Sequence, residues 1–404
     1  MGAVLGLLNI YCTHWKDGHP LPNGLVEDEL FGLSDEKLDP YNKSNGRYTN
    51  QFFEMILENH HISYKYTDSF NFPFIYFLET CLTSTNKPKL NTSLHRILTH
   101  EICDAINERG LLVLYDSEGY KSHTTLMHNE LRFSNIDISR VVCISAARQT
   151  DSRLTSFFIS HLGEELYNSF LRNKSKTIKA LRAVKDVKPY KTFTCLVGRG
   201  DSSHKALLAK RMFENNFIAS SHFSLTLLYK QAYKKIIPKQ LVNQIPIYAE
   251  PYTDDRNIVY DLVWAQYSHL KLASESYINI VPTSTYREEK GFAPEGRLSN
   301  DFYMSVIAKR PFVVVSNFPN YLEIIKSLGY KTFDSILDES YDSEPDLQHR
   351  MKMIMNELTR LSKSNLVSTL EQCDDIFTHN LNVFMTKRTS QPFVDYLQSL
   401  SLYT

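Results

Sequence analysis

An α/β protein made of two doubly wound units is the fold class this sequence predicts, and three observations carry the prediction. At 404 residues the chain is longer than one compact core accommodates, so two domains of roughly 200 residues each are expected. Through the first half, short apolar runs alternate with segments of helical period, the pattern of parallel strands with helices on the faces of the sheet. After a basic stretch from Arg172 to Lys191 the same alternation begins again.

Taken in order, the strands of the first half are Val4 to Cys12, Phe74 to Leu78, Leu111 to Tyr115 and Val141 to Ile144. The first has the length of the apolar part of a secretory leader. No basic residue precedes it and no convincing small-residue cleavage site follows, so a buried strand is the expectation. Helical periodicity covers Gln51 to Asn59 and Thr92 to Arg109, with Gly110 placed to cap the second at its C-terminus. The segment from Lys16 to Asn50 is rich in Gly, Pro, Asn and Asp and reads as a long loop leaving the first strand. Loops of that length usually carry function or motion.

The basic stretch holds Lys174, Lys176, Lys179, Arg182, Lys185, Lys188 and Lys191 and marks the domain boundary. A solvated connector explains it first, a polyanion contact second. Beyond it, strands are expected at Thr192 to Val197, Phe217 to Leu225, Tyr277 to Val281 and Pro311 to Val315. Helices are expected at His204 to Asn215, Asn300 to Lys309 and Tyr321 to Leu328, the last closed by Gly329. From Ser343 the chain reads as helix to its end, with apolar positions at Met351, Ile354, Leu358 and Leu361. The expected division is therefore 1–175, a basic linker 176–191, 192–365, and terminal helices 366–404 packing back on the first domain.

Lys plus Arg and Asp plus Glu both number 45, so no global field of one sign steers the protein toward nucleic acid, and any polyanion site is a local patch. No stretch approaches the ~20 apolar residues of a membrane span. Cys12, Cys81, Cys103, Cys143, Cys195 and Cys373 are scattered, without zinc spacing or a CxxC pair, and suit a reducing cytoplasm.

Chemistry-bearing residues cluster in a few places. Cys195 to Lys205 leaves an apolar strand, passes Gly198, Arg199 and Gly200, and enters a helix with Ser202 or Ser203 as N-cap. Such a turn suits a diphosphate: glycines let the backbone approach an anion, the first helix amides point at it, and Arg199, His204 and Lys205 add charged donors. The spacing is neither that of a dinucleotide fingerprint nor that of a P-loop, and an ordinary strand-to-helix turn explains it equally well. In the first half, Asp116 and Glu118 directly follow a buried strand at its carboxyl end. Glu118 is the first candidate for a general base, with His14 and Asp17 after the first strand as the competing pair. The bland alternatives are a helix cap for Asp116 and a half-buried satisfied histidine for His14. His60 and His61 end a helix without a ligand at metal spacing and read as structural. FNFPFIYFLE reads as core packing, and YKQAYKKIIPK, from Tyr229 to Lys239, as a modest candidate for phosphate contact.

Two segments, LVGRGDSSHKALLAKRMFENN and NIVPTSTYREEKGFAPEGRLSNDFYMSVIAKRPFVVVSNFPNYLEIIKSLGYKTFDSILDESYD, resemble the C-terminal half of phage-encoded glycosyltransferase-like proteins. That group is in turn similar to the fucosyltransferase type of donor-binding domain. Its pattern is an arginine and a histidine opening the first helix, a Thr-Glu-Thr element, Ser-Glu-Lys before a helix, and a Pro-Phe-Ile-Val strand. Here Asn300 and Asp301 stand at the Glu-Lys pair and Ser284 at the glutamate, with Glu295 and Arg297 a few residues before as possible replacements.

The resemblance implies the GT-B architecture: two Rossmann-like lobes facing a cleft, acceptor on the first and nucleotide-sugar on the second. It implies donor contacts by Arg199, His204, Lys205, Ser284, Glu295, Arg297 and Asn300, with cations and helix amides serving the leaving diphosphate in place of a metal. The activity it implies is transfer of a sugar from a nucleotide-sugar to a hydroxyl. A hydroxymethylated cytosine in phage DNA is the first acceptor expected, which makes DNA a partner and the bacterial host cytoplasm the location. A flipped base would demand a positive rim, for which the basic linker and the YKQAYKK segment are the sequence support. The rivals are a glycan or lipid-linked sugar as acceptor, and a catalytically inactive binding protein of the same fold.

Overall fold

The computed structural model describes residues 7–11, 52–67, 70–79, 98–116, 123–146, 153–160, 163–164, 166–168, 184, 187–197, 202–225, 235–243, 269–283, 298–400 and 402. The chain divides into two units, Met1–Asn168 together with Arg388–Thr404, and Ser169–Lys387.

In the first unit the elements run β1 (Leu8–Tyr11), α1 (residues 52–59), β2 (Tyr64–Thr67), β3 (Phe74–Glu79), α2 (His100–Arg109), β4 (Gly110–Asp116), α3 (His123–Leu131), β5 (Val141–Ser145) and β6 (Thr155–Phe158). All pairings are parallel, in the order β2-β1-β3-β4-β5-β6. Leu111 to Tyr115 are buried without exception, so β4 is covered on both faces, which is why the sequence shows a continuous apolar run there rather than alternation. One face holds Leu111, Val113 and Tyr115 in a cluster with Phe52, Phe53 and Phe77. Phe53 stacks on Phe77 with ring centroids 4.7 Å apart, a geometry that contributes about 0.5–1.5 kcal/mol beyond area burial. Phe393, Val394, Leu397 and Leu402 close the same cluster.

The expected strands are present with shifted ends. Of the expected Val4 to Cys12, β1 covers Leu8–Tyr11, with 4–6 and 12 outside the described residues, and β2 and β6 were not anticipated, being edge strands of four residues each. Of the expected Thr92 to Arg109, residues 92–97 lie outside the described residues, and α2 begins at His100, where the Thr99 side chain accepts from Ile102 N at 3.4 Å. Gly110 is the C-cap of α2, as expected, its N–H donating to the carbonyls of Ala105 and Ile106, but its φ of −97° is extended rather than left-handed and it opens β4. Its role is close approach, since a Cβ there would lie 2.8 Å from Phe74 Cζ and 2.9 Å from Ile106 Cα. The expected loop from Lys16 to Asn50 lies outside the described residues.

The second unit contains β7 (Lys191–Leu196), α4 (Ser203–Glu214), β8 (Ser221–Ser224), α5 (residues 269–274), β9 (Ser276–Pro282), α6 (Asn300–Ile307), β10 (Phe312–Val315), α7 (Tyr321–Ser327), α8 (Leu347–Ser362), α9 (Leu366–Glu371) and α10 (Asp374–Thr386). Its strands pair in the order β10-β9-β7-β8, again all parallel. Counted from its own first strand, this sheet repeats the second-first-third-fourth order that opens the first sheet. That order reverses direction once, between β1 and β3 in one sheet and between β7 and β9 in the other. The expected strand Phe217 to Leu225 is confined to Ser221–Ser224 because Asn216, at φ 59°, and the bond from Ser221 N to Ile218 O use the preceding residues as a turn. Gly329 does close α7 with a positive φ of 94°.

Met351, Ile354, Leu358 and Leu361 are buried on α8, which packs against α4. Phe377 and Phe384 lie against Phe333 and Tyr303, which keeps α9 and α10 with the second sheet. Only the final helix, α11 (Gln391–Ser399), belongs to the first unit. Cys103, Cys143, Cys195 and Cys373 are buried. No helix among the described residues is long and apolar enough to cross a membrane.

Gly110→Ala forces its new methyl against Phe74 and the α2 backbone, and it is expected to lower stability by about 1–3 kcal/mol. Urea unfolding monitored on the first unit checks this, and an unchanged midpoint contradicts it.

Candidate functional site

Ligands of open parallel sheets bind outside the carboxyl ends of the strands, where the strand order reverses. In the second unit that place is the gap between the ends of β7 and β9. The first turn of α4 occupies it. Ser202 is the N-cap, extended at φ −123° and ψ 153°, but its hydroxyl makes no capping bond. The residue is 2% exposed and its Oγ has no hydrogen-bond partner. No acid stands in this first turn, so the positive end of the helix is not offset from within.

Two side chains of that turn fix the helix to its neighbours. His204, fully buried, places Nε2 3.1 Å from the carbonyl of Thr283, the residue following β9. A carbonyl only accepts, so Nε2 carries the proton and donates it. Burial, reinforced by Lys205, pushes the imidazole down to about 3, which leaves it neutral. Ser203 Oγ bonds Asn317 Oδ1 at 3.1 Å, just beyond β10.

Beneath that edge lies Arg350, 1% exposed, with Nη1 donating to Ser316 O at 3.0 Å, Nε to Glu344 O at 2.7 Å and Nη2 to Pro345 O at 3.2 Å. Burial lowers its pKa from the ordinary guanidinium value. The neighbouring helix α7 follows Asn320, whose left-handed φ of 62° is held by the Asp342 carbonyl, while the Asp342 carboxylate accepts from Tyr321 N and Leu322 N at 3.1 and 2.8 Å.

The opposite chemistry gathers at the start of α6. Ser299 is the N-cap and accepts from Phe302 N. Asn300 donates Nδ2 toward His269 Nδ1 at 3.4 Å, while its Oδ1 is buried without a partner. The same His269 nitrogen lies 3.7 Å from Asp301 Oδ1, between the amide and the carboxylate. Asp301 keeps 21% of its side chain exposed, yet burial raises its carboxyl to about 7 against the pull of Lys205. Burial also raises the Cys195 thiol, beside the same two charges, so this cysteine is no nucleophile.

Of the expected donor contacts, His204, Lys205 and Asn300 are described and stand on the first turns of α4 and α6, while Asp116, expected to follow a strand, is the last residue of β4. Arg199, Ser284, Glu295, Arg297, Glu118, His14 and Asp17 lie outside the described residues. His269, the Thr283 carbonyl, Asn317 and the unpartnered Ser202 hydroxyl were not expected. His269 sits in no motif, and a backbone carbonyl leaves no mark in a sequence. Among the described residues no group of three or more His, Cys, Asp or Glu side chains is placed to hold a metal ion.

No protein-family model matches the chain, and no curated protein matches it. Among solved structures it is similar to a UDP-GlcNAc 2-epimerase from Neisseria meningitidis bound to UDP-GlcNAc, at 12% identity over 86% of this chain and 95% of that one, with a TM-score of 0.39. It is also similar to the wall teichoic acid polymerase TagF, at 12% identity over 88% of this chain and 85% of the other, with a TM-score of 0.29. The α/β assignment rests on the strand pairing described above.

Two results are expected from these geometries. Nitrogen-resolved NMR of His204 is expected to keep the neutral Nε2–H form down to about pH 5, and a titration near the ordinary imidazole value contradicts the burial. For Asp301 the raised carboxyl means that folding favours its protonated form. Stability is then lost as pH rises from the ordinary 3.8 toward about 7. Asp301→Asn is expected to gain on the wild type as pH is raised through that window in thermal melts, and parallel curves contradict the assignment.

Proposed function

We propose that this chain is a glycosyltransferase that draws a sugar from a nucleotide-sugar held by its second unit. The observation that carries the reading is the first turn of α4 fixed at the strand-order reversal by the His204 bond to Thr283, with Lys205 beside it. An anionic diphosphate is matched by the positive end of a helix and a lysine. The start of α6, with the Asn300 amide oxygen and the Asp301 carboxyl, is matched by hydroxyl groups. A nucleotide-sugar carries both chemistries in one molecule.

In this reading Arg199 and Arg297 add positive charge at the diphosphate, and Ser284, Glu295 and Asn300 contact the remainder of the donor. Glu118 takes the acceptor proton, with His14 and Asp17 as the competing pair. Modified DNA as acceptor is supported by the family resemblance and by the basic residues between Arg172 and Lys239, and no geometry among the described residues adds to it. A glycan or lipid-linked sugar is the rival acceptor.

The test incubates purified protein with a panel of nucleotide-sugars, reading binding by calorimetry. Transfer is read by mass spectrometry, on nucleosides from hydroxymethylcytosine DNA and on oligosaccharide acceptors. Donor binding with a sugar adduct on the DNA supports the full reading, and adducts on oligosaccharide alone replace the acceptor. Absence of binding across the panel overturns the reading altogether. Arg199→Ala is expected to weaken donor binding by about tenfold or more, as loss of a charge-assisted bond does. Glu118→Gln is expected to spare binding and remove turnover. Wild-type turnover in both overturns the site assignment.

A further inference from the structure

A second buried polar cluster lies in the first unit, away from any residue given a role above. Glu164 is 2% exposed, and its Oε1 accepts from Thr389 Oγ1 at 2.9 Å and from Ser390 N at 3.0 Å. Thr389 Oγ1 in turn accepts from Ser160 N at 3.0 Å. His60, at the end of α1, sets Nε2 2.8 Å from Ser390 Oγ. These contacts join residues more than 200 positions apart in the sequence, and they meet at the N-terminus of α11, whose Phe393, Val394 and Leu397 then enter the hydrophobic cluster. Glu164 thus caps a helix distant in sequence and offsets its positive end.

The cluster is not electrically settled. Glu164 Oε2 is buried without a partner. Around the His60 ring stand Glu164 and Asp395, which favour its protonation, and Arg388 and His61, which oppose it. Arg388 lies over the ring of Tyr167. Burial is the largest influence on the imidazole and lowers its pKa.

We propose that His60, Glu164 and Ser390 form an acid-released latch holding the segment from Thr389 to Leu402 on the first unit. The neutral imidazole exchanges one hydrogen bond with the Ser390 hydroxyl and is compatible with docking. A second ring proton brings a charge and a new donor into a half-buried site where Arg388 and His61 oppose it and the Glu164 carboxylate is already engaged at the N-terminus of α11. The docked state therefore binds that proton less readily than the released state, in which the ring meets water. The sign follows: docking is fully present above the ordinary imidazole value of 6.5 and weakens as pH falls below it. One proton sets a ceiling of about tenfold per pH unit. The apolar face of α11 resists release, so the effect is local opening of this helix while the sheet stays folded.

The experiment is amide hydrogen exchange on the full chain at about pH 7.5, 6.5 and 5.5, corrected for the intrinsic pH dependence of exchange. Peptides covering 391–402 are compared with peptides from β4 in the same sample. Wild type is expected to lose protection in 391–402 by up to about tenfold between the two lower values, with β4 unchanged. His60→Gln, which keeps a hydrogen-bonding group without titrating, is expected to flatten that dependence. Ser390→Ala is expected to raise exchange of 391–402 already at the highest pH and to leave a smaller acid effect. Should His60→Gln lose β4 protection as well, wild type and Ser390→Ala decide the matter by the same readings. Constant protection of 391–402 in wild type overturns the latch. Stronger protection in acid also overturns it, because His60 would then pair with Glu164 instead of releasing. A dependence that survives in His60→Gln and vanishes in Glu164→Gln moves the titration to the carboxyl and overturns the role of His60.

Discussion

A guanidinium buried among carbonyls underlies the carboxyl edge of the second sheet. Arg350 gives its hydrogen bonds to Ser316, Glu344 and Pro345, which ties the end of β10 to the segment leading into α8. A buried charge of this kind is tolerated only when its donors are satisfied, so those carbonyls are fixed as firmly as the arginine is. From Ser316 the order passes to Asn317 and the Ser203 hydroxyl. His204 then carries it on to the end of β9. The first turn of α4 is therefore held on both sides by groups that do not titrate near neutrality, a rigid base for a site built at strand ends.

Around that base the polar groups separate by kind. Donors and positive potential collect at α4, acceptors at α6, and Lys205 lies near enough to influence Asp301 and Cys195 alike. Such segregation favours a ligand with an anionic part and a hydroxylated part. It disfavours one that is uniformly charged. Asn300 and Asp301 give this end an amide and a carboxyl, the latter 3.7 Å from His269 Nδ1.

The sequence disclosed the parallel strands because burial on both faces writes a continuous apolar run, as in Leu111 to Tyr115 and Phe312 to Val315. β2 and β6 were not legible: YKYT and TSFF are four-residue edges with too few positions for a period to emerge. Gly110 was legible as the C-cap of α2, but the sequence cannot distinguish a glycine needed for a left-handed turn from one needed because Phe74 and Ile106 leave no room for a methyl. The places of His204, Lys205 and Asn300 on the first turns of α4 and α6 were legible because strand-to-helix turns follow chain order. Their partners were not, because His269, Thr283 and Asn317 are brought in by pairing between strands far apart in sequence.

The contribution of Phe393, Val394, Leu397 and Leu402 to the first unit's cluster has a consequence for synthesis. A ribosome releases the six strands of that sheet long before it reaches these residues. The growing chain must carry an unfinished core through the production of the entire second unit, with a hydrophobic face waiting for its last covering helix. The core of the first unit is therefore closed only after the second unit has been synthesised.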